Sequence, residues 1–347
     1  MRFLSDNAAR ACPEVMDAVV AANDVLDGSY DDDSLSARLD GVFGDVFGAP
    51  CRVFPVSSGT AANALALAAM LPPFGAVVCH REAHIHVDEA GAPEFYTGGA
   101  KLLLAEGEGA KLTPETIAAA MAPMREDVHQ VQVGALSLTQ ATESGLVYTA
   151  AELAALGDVA KGRDWHLHMD GARFANALVR LIDDDGCHPG DITWRVGVDA
   201  LSFGCIKNGG MSAEALVVFN EALAKTIPSR RKRAGQMPSK GRFAAAQLIA
   251  MIETGAWERN ARAANDGAAR IGAAAGARLT QPVEGNEVFV QLGDKGAATL
   301  RAQGFDFYDW GDAGSGEARF VAAWDTPESH IAALEAALAT LPEPQAG

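Results

Sequence analysis

Lys207 stands just past an apolar run, Ala200-Leu-Ser-Phe203, and is followed by Asn-Gly-Gly. Lysine is seldom placed at the inner end of a strand unless it has a partner or a reaction. Desolvated there, its amine becomes a neutral nucleophile suited to an aldehyde. By itself the segment reads more readily as a surface lysine in a glycine-rich turn. Asp170 ends a second apolar run, 166–169, within His166-Leu-His-Met-Asp-Gly-Ala-Arg173. A carboxylate in that position can hold the proton of a pyridine nitrogen and keep the ring an electron sink. Asp-Gly before Ala-Arg-Phe-Ala is also a good helix N-cap. The two residues carry more together than apart, because ligands of open α/β sheets lie outside the C-terminal ends of the strands.

Two further segments offer complementary chemistry. In Pro55-Val-Ser-Ser58-Gly59-Thr60-Ala, an apolar run passes through a small-residue turn into an alanine-rich stretch. The free N–H groups of such a helix start, with the Thr60 hydroxyl, can cradle a phosphate, and Gly59 permits close approach. In Glu82-Ala-His84-Ile-His86-Val-Asp-Glu89-Ala-Gly91, an imidazole can stack flat on an aromatic ring. His84 and His86 would share a face if the segment were a strand, which leaves metal binding open as a competing reading; no third ligand at zinc-like spacing accompanies them. A plain loop histidine is the other alternative. Amine, carboxylate, phosphate cradle and stacking ring together describe a site for pyridoxal 5'-phosphate (PLP), with Lys207 holding it as a Schiff base.

These residues need a scaffold that brings strand ends together. Short apolar runs at 51–55, 76–79, 130–138, 166–169, 200–203 and 215–219 alternate with helix-like stretches at 60–70, 113–121, 150–161 and 171–181. Strands separated by helices imply crossover connections and a mainly parallel sheet covered on both faces. Thr113-Pro114 and Thr149-Ala-Ala-Glu152 read as capped helix starts. Beyond residue 245 the order changes: helices at 244–253 and 259–275, a strand at 287–292, a helix at 298–303, a strand at 318–324 and a closing helix at 326–341. The expected organisation is an α/β fold with a large domain over residues 1–245, to whose site the segment 1–20 contributes, and a smaller C-terminal α/β domain over 246–347.

Bulk properties narrow the partners. The net charge of −17 repels a phosphate backbone, so no nucleic acid is expected. An anionic ligand would need local positive charge set against this field. Five cysteines without a Cys-x-x-Cys pair argue against a disulfide framework or structural zinc. No apolar run reaches the roughly 20 residues that span a bilayer, and the first residues lack a signal-peptide pattern. A cytoplasmic location is expected, with neither metal nor membrane contact. The Ser-Ser-Gly-Thr turn lacks the Gly-x-Gly-x-x-Gly fingerprint of a dinucleotide site.

In this order and spacing, the motifs resemble the threonine aldolase family, PLP-dependent lyases with the aspartate aminotransferase fold (fold type I). The likeness extends to Ser5-Asp-Asn7, Gly28-Ser-Tyr30-Asp, Leu136-Ser-Leu-Thr-Gln-Ala-Thr-Glu-Ser-Gly145 and Glu317-Ala-Arg319-Phe. The resemblance implies that Lys207 bonds the cofactor and Asp170 pairs with its ring nitrogen. It implies that Ser58, Gly59 and Thr60 hold the phosphate, that His84 stacks on the ring, and that Arg173 borders cofactor and substrate. Ser5, Arg173 and Arg319 would hold the substrate carboxylate, with Tyr30 and Glu143 also at the substrate. Arg230-Arg-Lys-Arg233 reads either as a solvated cluster or as a segment approaching a neighbouring subunit's phosphate. The implied reaction is retro-aldol cleavage of a β-hydroxy-α-amino acid to glycine and an aldehyde, in a homodimer or homotetramer with sites at the dimer interface. Another fold type I activity, aminotransferase or β-eliminating lyase, would use the same Lys and Asp, and a non-catalytic PLP- or amino-acid-binding protein would share the fold. Two departures stand out: family members often open with Ser-Asp-Thr, and often carry a histidine where this chain has Thr139-Gln-Ala-Thr-Glu143. That loop is similar to the branch associated with phenylserine-type substrates.

Overall fold

In the computed structural model, which describes residues 1–24 and 26–341, seven strands form one sheet. They are β1 (Arg52–Val56), β2 (Gly75–His80), β3 (Lys101–Ala105), β4 (Gln132–Thr139), β5 (His166–Gly171), β6 (Ala200–Phe203) and β7 (Glu214–Val218), in the spatial order β1-β7-β6-β5-β4-β2-β3. The pairs β3–β2, β2–β4, β4–β5 and β5–β6 are parallel. β7 is antiparallel to both β6 and β1, so β1 runs in the direction of β6. The inner strands are buried on both faces, which is why they read as continuous apolar runs rather than alternating ones.

Helices cover the two faces over separate cores. One core gathers Phe43, Phe47, Phe174, Phe203 and Trp257. The other contains Leu65, Leu67, Val77 and Leu216 beneath the helix Gly59–Met70. That helix is buried nearly all round, as its unbroken small apolar sequence requires. A second sheet of three antiparallel strands, β8 (Glu287–Gln291), β10 (Glu317–Val321) and β9 (Tyr308–Trp310), has its own core of Val288, Val290, Phe305 and Phe320. Phe3 belongs to this core, and Arg2 bridges to Asp306. The helix Ala256–Ala275 joins the cores: Trp257 and Ala261 pack in the first, Ala268 and Ile271 in the third.

The α/β class and mainly parallel sheet match the sequence reading, with four corrections. β3 was not anticipated; it is the sheet's edge strand, and its Lys-Leu-Leu-Leu-Ala shows neither strict alternation nor full burial. β9 also went unread, three mostly exposed residues without an apolar pattern. The helix expected from residue 171 starts at Phe174 and runs to Asp185, ending on Gly186 in the left-handed region (φ 67°). Asp170 and Gly171 therefore stay in β5. The helix expected over 298–303 begins at Gly293, its first turn masked by two glycines that favour turns. The predicted caps are present: Thr113 and Thr149 both form reciprocal capping boxes, with Thr116 and Glu152.

Candidate active site

The four motifs that carry the cofactor chemistry lie at one edge of the sheet. Gly59, His84, Glu143 and Lys207 follow closely on β1, β2, β4 and β6, and Asp170 ends β5, all five strands running the same way. Glu214 opens β7, which runs oppositely, so it reaches the same edge. A cavity of about 230 Å³ is lined there by Asn7, Ser58, Gly59, Thr60, Asn63, His84, Glu89, Glu143, Asp170, Arg173, Lys207 and Glu214, among others. A larger recess of about 860 Å³ around Trp194 and Asp199 lies elsewhere and contains none of these groups.

Asp170 is buried, and its carboxylate is held on both oxygens. Oδ1 accepts from the Ala172 N–H (2.9 Å) and Oδ2 from Asn63 Nδ2 (2.7 Å). It does not cap the following helix, whose first flanking residue is Arg173. Beneath it, His168 is clamped between Ser137 (2.9 Å) and Ser202 (3.2 Å). Burial lowers the His168 pKa to about 4, so that ring is neutral.

Lys207 sits on the turn Ile206–Asn208, and among the described residues its ammonium has no hydrogen-bond or ion-pair partner. Burial depresses its pKa, and the nearby Arg173 charge depresses it further, against the opposing pull of Asp6 and Asp170. A neutral amine is the form that attacks an aldehyde. The backbone before it is anchored by Glu214, which accepts from the N–H groups of Cys205 and Ile206. Burial raises the Glu214 pKa to about 7.

Ser58 caps the helix Gly59–Met70, its hydroxyl accepting from the Ala61 N–H (3.2 Å). The N–H groups of Gly59 and Thr60 belong to the first turn and have no intrahelical acceptor. A Cβ built on Gly59 would meet no atom within 4 Å, so open space lies over the helix start. His84 lies on a single helical turn, His84–Val87. About 100° per residue puts His86 roughly 200° round from it, so the shared face of an extended strand does not exist here. The His84 N–H donates to Glu143 Oε1 (2.8 Å), which also accepts from the Thr139 hydroxyl (2.9 Å). Burial pushes the Glu143 pKa up to about 7.

Positive charge reaches the cavity through Arg173, which lines it; Arg319 is not among the lining residues. Arg173 donates through Nε (2.8 Å) and a terminal nitrogen (3.0 Å) to Asp6, and its other terminal nitrogen lies 3.2 Å from Glu287 of β8. Burial would raise the Asp6 pKa, but Arg173 and Lys207 outweigh it and hold it at about 2. Arg319 of β10 pairs with the other oxygen of Glu287 (3.4 Å) and lies over the Trp310 ring (4.4 Å to centroid); its Nε is buried and has no hydrogen-bond partner among the described residues. Ser5 does not line the cavity: its hydroxyl caps the turn Asp6–Ala8, which packs against the turn bearing Lys207, and it is Asn7 that reaches the cavity.

Tyr30 also stands outside the cavity, its exposed ring under the Lys232 ammonium (4.2 Å). Within the basic segment, Arg231 is buried on Asp31 (2.5 Å), whereas Arg230 and Arg233 line a surface recess with Phe95 and Tyr96. Sequence reasoning gave no role to Asn63, Glu89, Asp6, Glu214 or Glu287. Asn63 lies one helical turn beyond Gly59 on the same face, but in an alanine-rich helix that spacing alone does not mark it out. Glu287 is drawn in only by the three-dimensional approach of the second sheet.

Three comparisons fix the kinship. The family model described as beta-eliminating lyase matches residues 2–295. The low specificity L-threonine aldolase of a Pseudomonas species is 42% identical, over 96% of each chain. The solved structure of Leishmania major threonine aldolase superposes with a TM-score of 0.89 at 27% identity, over 97% of this chain and 98% of that one. With the Lys207–Asp170 pair set at the strand ends, this likeness along the whole chain makes it a member of the beta-eliminating lyase family, a PLP-dependent lyase of the threonine aldolase group.

Proposed function

We propose that the chain cleaves a β-hydroxy-α-amino acid of the threonine, allo-threonine or phenylserine type to glycine and an aldehyde. PLP, when bound, supplies an aldehyde that bonds amines and a ring that accepts the electrons of the breaking Cα–Cβ bond. The residues present suit it. The Lys207 amine is desolvated and unengaged for the aldehyde. Asp170, already hydrogen-bonded on both oxygens, is held as an acceptor for a protonated ring nitrogen. Open space over Gly59, with the first-turn N–H groups, Ser58 and Thr60, accommodates a phosphate.

Substrate binding falls to the guanidinium groups. Arg173 spends two of its five N–H groups on Asp6 and meets Glu287 only as an ion pair, which leaves three for a carboxylate. Arg319 brings a buried Nε with no hydrogen-bond partner among the described residues. Ser5 supports this corner through the turn Asp6–Ala8. His84 takes the β-hydroxyl proton, and Glu143, fixed behind it, is the second acceptor. The observation that carries the reading is the convergence of Lys207, Asp170, His84 and Arg173 on one cavity.

We further place the division between a large and a small domain near residue 245, supported by the separate core of the second sheet. We also propose a cytoplasmic homodimer or homotetramer with the site at the dimer interface. Tyr30, outside its own cavity with an exposed ring, and the paired surface arginines Arg230 and Arg233 are then groups offered to a neighbouring copy. The test is a panel of threonine, allo-threonine and phenylserine in both enantiomers, quantifying glycine and aldehyde. Equimolar glycine and aldehyde from at least one substrate is expected; a keto acid, or no product from PLP-loaded protein, overturns the reading.

A further inference from the structure

Behind His84 lies a chain of contacts that the reaction scheme above leaves unused. His84 Nδ1 is 3.0 Å from Glu89 Oε1, and the same oxygen accepts from Asn63 Nδ2 at 2.8 Å. The other proton of Asn63 Nδ2 goes to Asp170 Oδ2 at 2.7 Å. One amide nitrogen thus bridges two buried carboxylates. Because an amide NH₂ has two donors and a carboxylate only accepts, this orientation is the one that satisfies both; the reverse would set a carbonyl oxygen against two anions. The arrangement keeps both Glu89 and Asp170 as acceptors.

Glu89 is almost wholly buried, and its second oxygen has no hydrogen-bond partner among the described residues. A carboxylate with an idle buried oxygen is costly unless a positive or strongly donating neighbour compensates, and the neighbour facing Glu89 Oε1 is the imidazole. The local backbone is bent to this end: Ala90, next in the chain, lies in the left-handed region (φ 50°), disfavoured for alanine, and Gly91 follows it there (φ 75°). These turns carry the chain from the His84–Val87 helical turn into the helix Ala92–Thr97 while Glu89 points inward.

We propose that Glu89 is a positioning residue for the reaction: it fixes His84 with its proton on Nδ1, leaving Nε2 as the acceptor, and Asn63 ties this pair to Asp170. A histidine whose Nδ1–H is held by a buried carboxylate has its tautomer and ring plane set in advance, and becomes the stronger base. The groups facing the imidazole are Glu89 and Asp170, which favour its charged form, Lys207, which opposes it, and Glu143, which binds its backbone N–H. Against burial, the Glu89 hydrogen bond prevails and the His84 pKa is raised.

The inference rests on the reading of His84 as proton acceptor, and its test separates the two. Glu89→Gln keeps an acceptor of the same shape and removes the charge. In isotope-labelled protein, the NMR titration of the His84 ring should move to lower pH and its Nδ1–H signature should weaken. PLP affinity, followed by absorbance, should change little. In the loaded enzyme, kcat should fall about ten- to a hundredfold with KM little altered, and the acidic limb of kcat/KM should shift to lower pH, because His84 works unprotonated. Glu89→Asp retains the charge at a longer reach and should restore part of both effects; it also serves if the Gln variant fails to fold. An unmoved His84 titration in either variant overturns the proposal. A shifted titration with an unmoved kinetic limb leaves Glu89 as the partner of His84 but overturns the assignment of His84 as the proton acceptor.

Discussion

At the scale of single residues, chemistry here is decided by which neighbours compensate a buried charge. Lys207 has no hydrogen-bonded or ion-paired neighbour among the described residues, and burial outweighs the coulombic pull of Asp6, Asp170 and Glu287 to tune it toward the free amine. Asp170 has two donors, one backbone and one from Asn63, which hold its carboxylate in place without an ion pair. That difference predicts the behaviour of Asp170→Asn. The amide can still accept from Ala172 and is close in shape, so the fold should persist, read as an unchanged unfolding midpoint within a few degrees. It cannot offer a negative charge to a ring nitrogen, so turnover should fall by orders of magnitude. Near-normal turnover would mean that Asp170 merely ties β5 to the helix bearing Asn63.

At the scale of elements, the site is assembled by strands that end together, and each contributes through a short turn. The helix Gly59–Met70 shows the logic most simply. Ser58 takes care of one first-turn donor, and the open space over Gly59 leaves the next ones to an anion. Gly59→Ala should therefore leave the cofactor-free protein as stable or slightly more so, since alanine is the better helix former. It should weaken PLP binding by roughly tenfold or more, a loss of one charge-assisted contact, measurable by absorbance titration. A variant that destabilises the empty protein while binding PLP normally would refute the cradle. The strands that build this edge were legible because burial on both faces makes them apolar without interruption, and the caps because Thr-Pro and Thr-x-x-Glu name them. Edge strand β3, half exposed, carries no such signature. Lys207, Asp170, Gly59 and His84 were legible from the turns that follow strands. Asn63 and Glu89 were not: an amide in an alanine-rich helix and an acid in a polar loop acquire meaning only when packing sets them between His84 and Asp170.

At the scale of the molecule, a line of charges, Asp6–Arg173–Glu287–Arg319, ties the N-terminal segment, the main sheet and the second sheet into one corner of the site. With Asp6 held at about 2, its half of this tie survives into strongly acid solution. The opposite sign holds for Glu143 and Glu214, whose folded pKa values of about 7 lie above the ordinary carboxyl value. A raised carboxyl binds its proton more tightly when folded, so its contribution is complete below the unfolded pKa and is lost as pH rises toward 7. His168 works against this: neutral and buried, with a pKa near 4, it destabilises the fold as pH drops from the ordinary imidazole value. Glu143 and Glu214, joined by His84 and His166 whose pKa values are raised, outweigh His168 and His80 whose values burial lowers, and the net charge of −17 adds self-repulsion that eases on acidification. The cofactor-free protein should therefore gain thermal stability as pH falls from about 8 to about 5 and lose it again toward about 2, where Asp6 finally titrates. Glu214→Gln offers the direct check. Its amide oxygen can still accept from the Cys205 and Ile206 N–H groups, and no charge remains to be buried at high pH. Midpoints measured across this range in low salt should show the variant gaining on the parent above about pH 7 and converging with it near pH 5, where the parent's Glu214 is already protonated. Parallel curves for the two proteins would place the ionisation of Glu214 outside this window and leave the pH dependence to net charge alone.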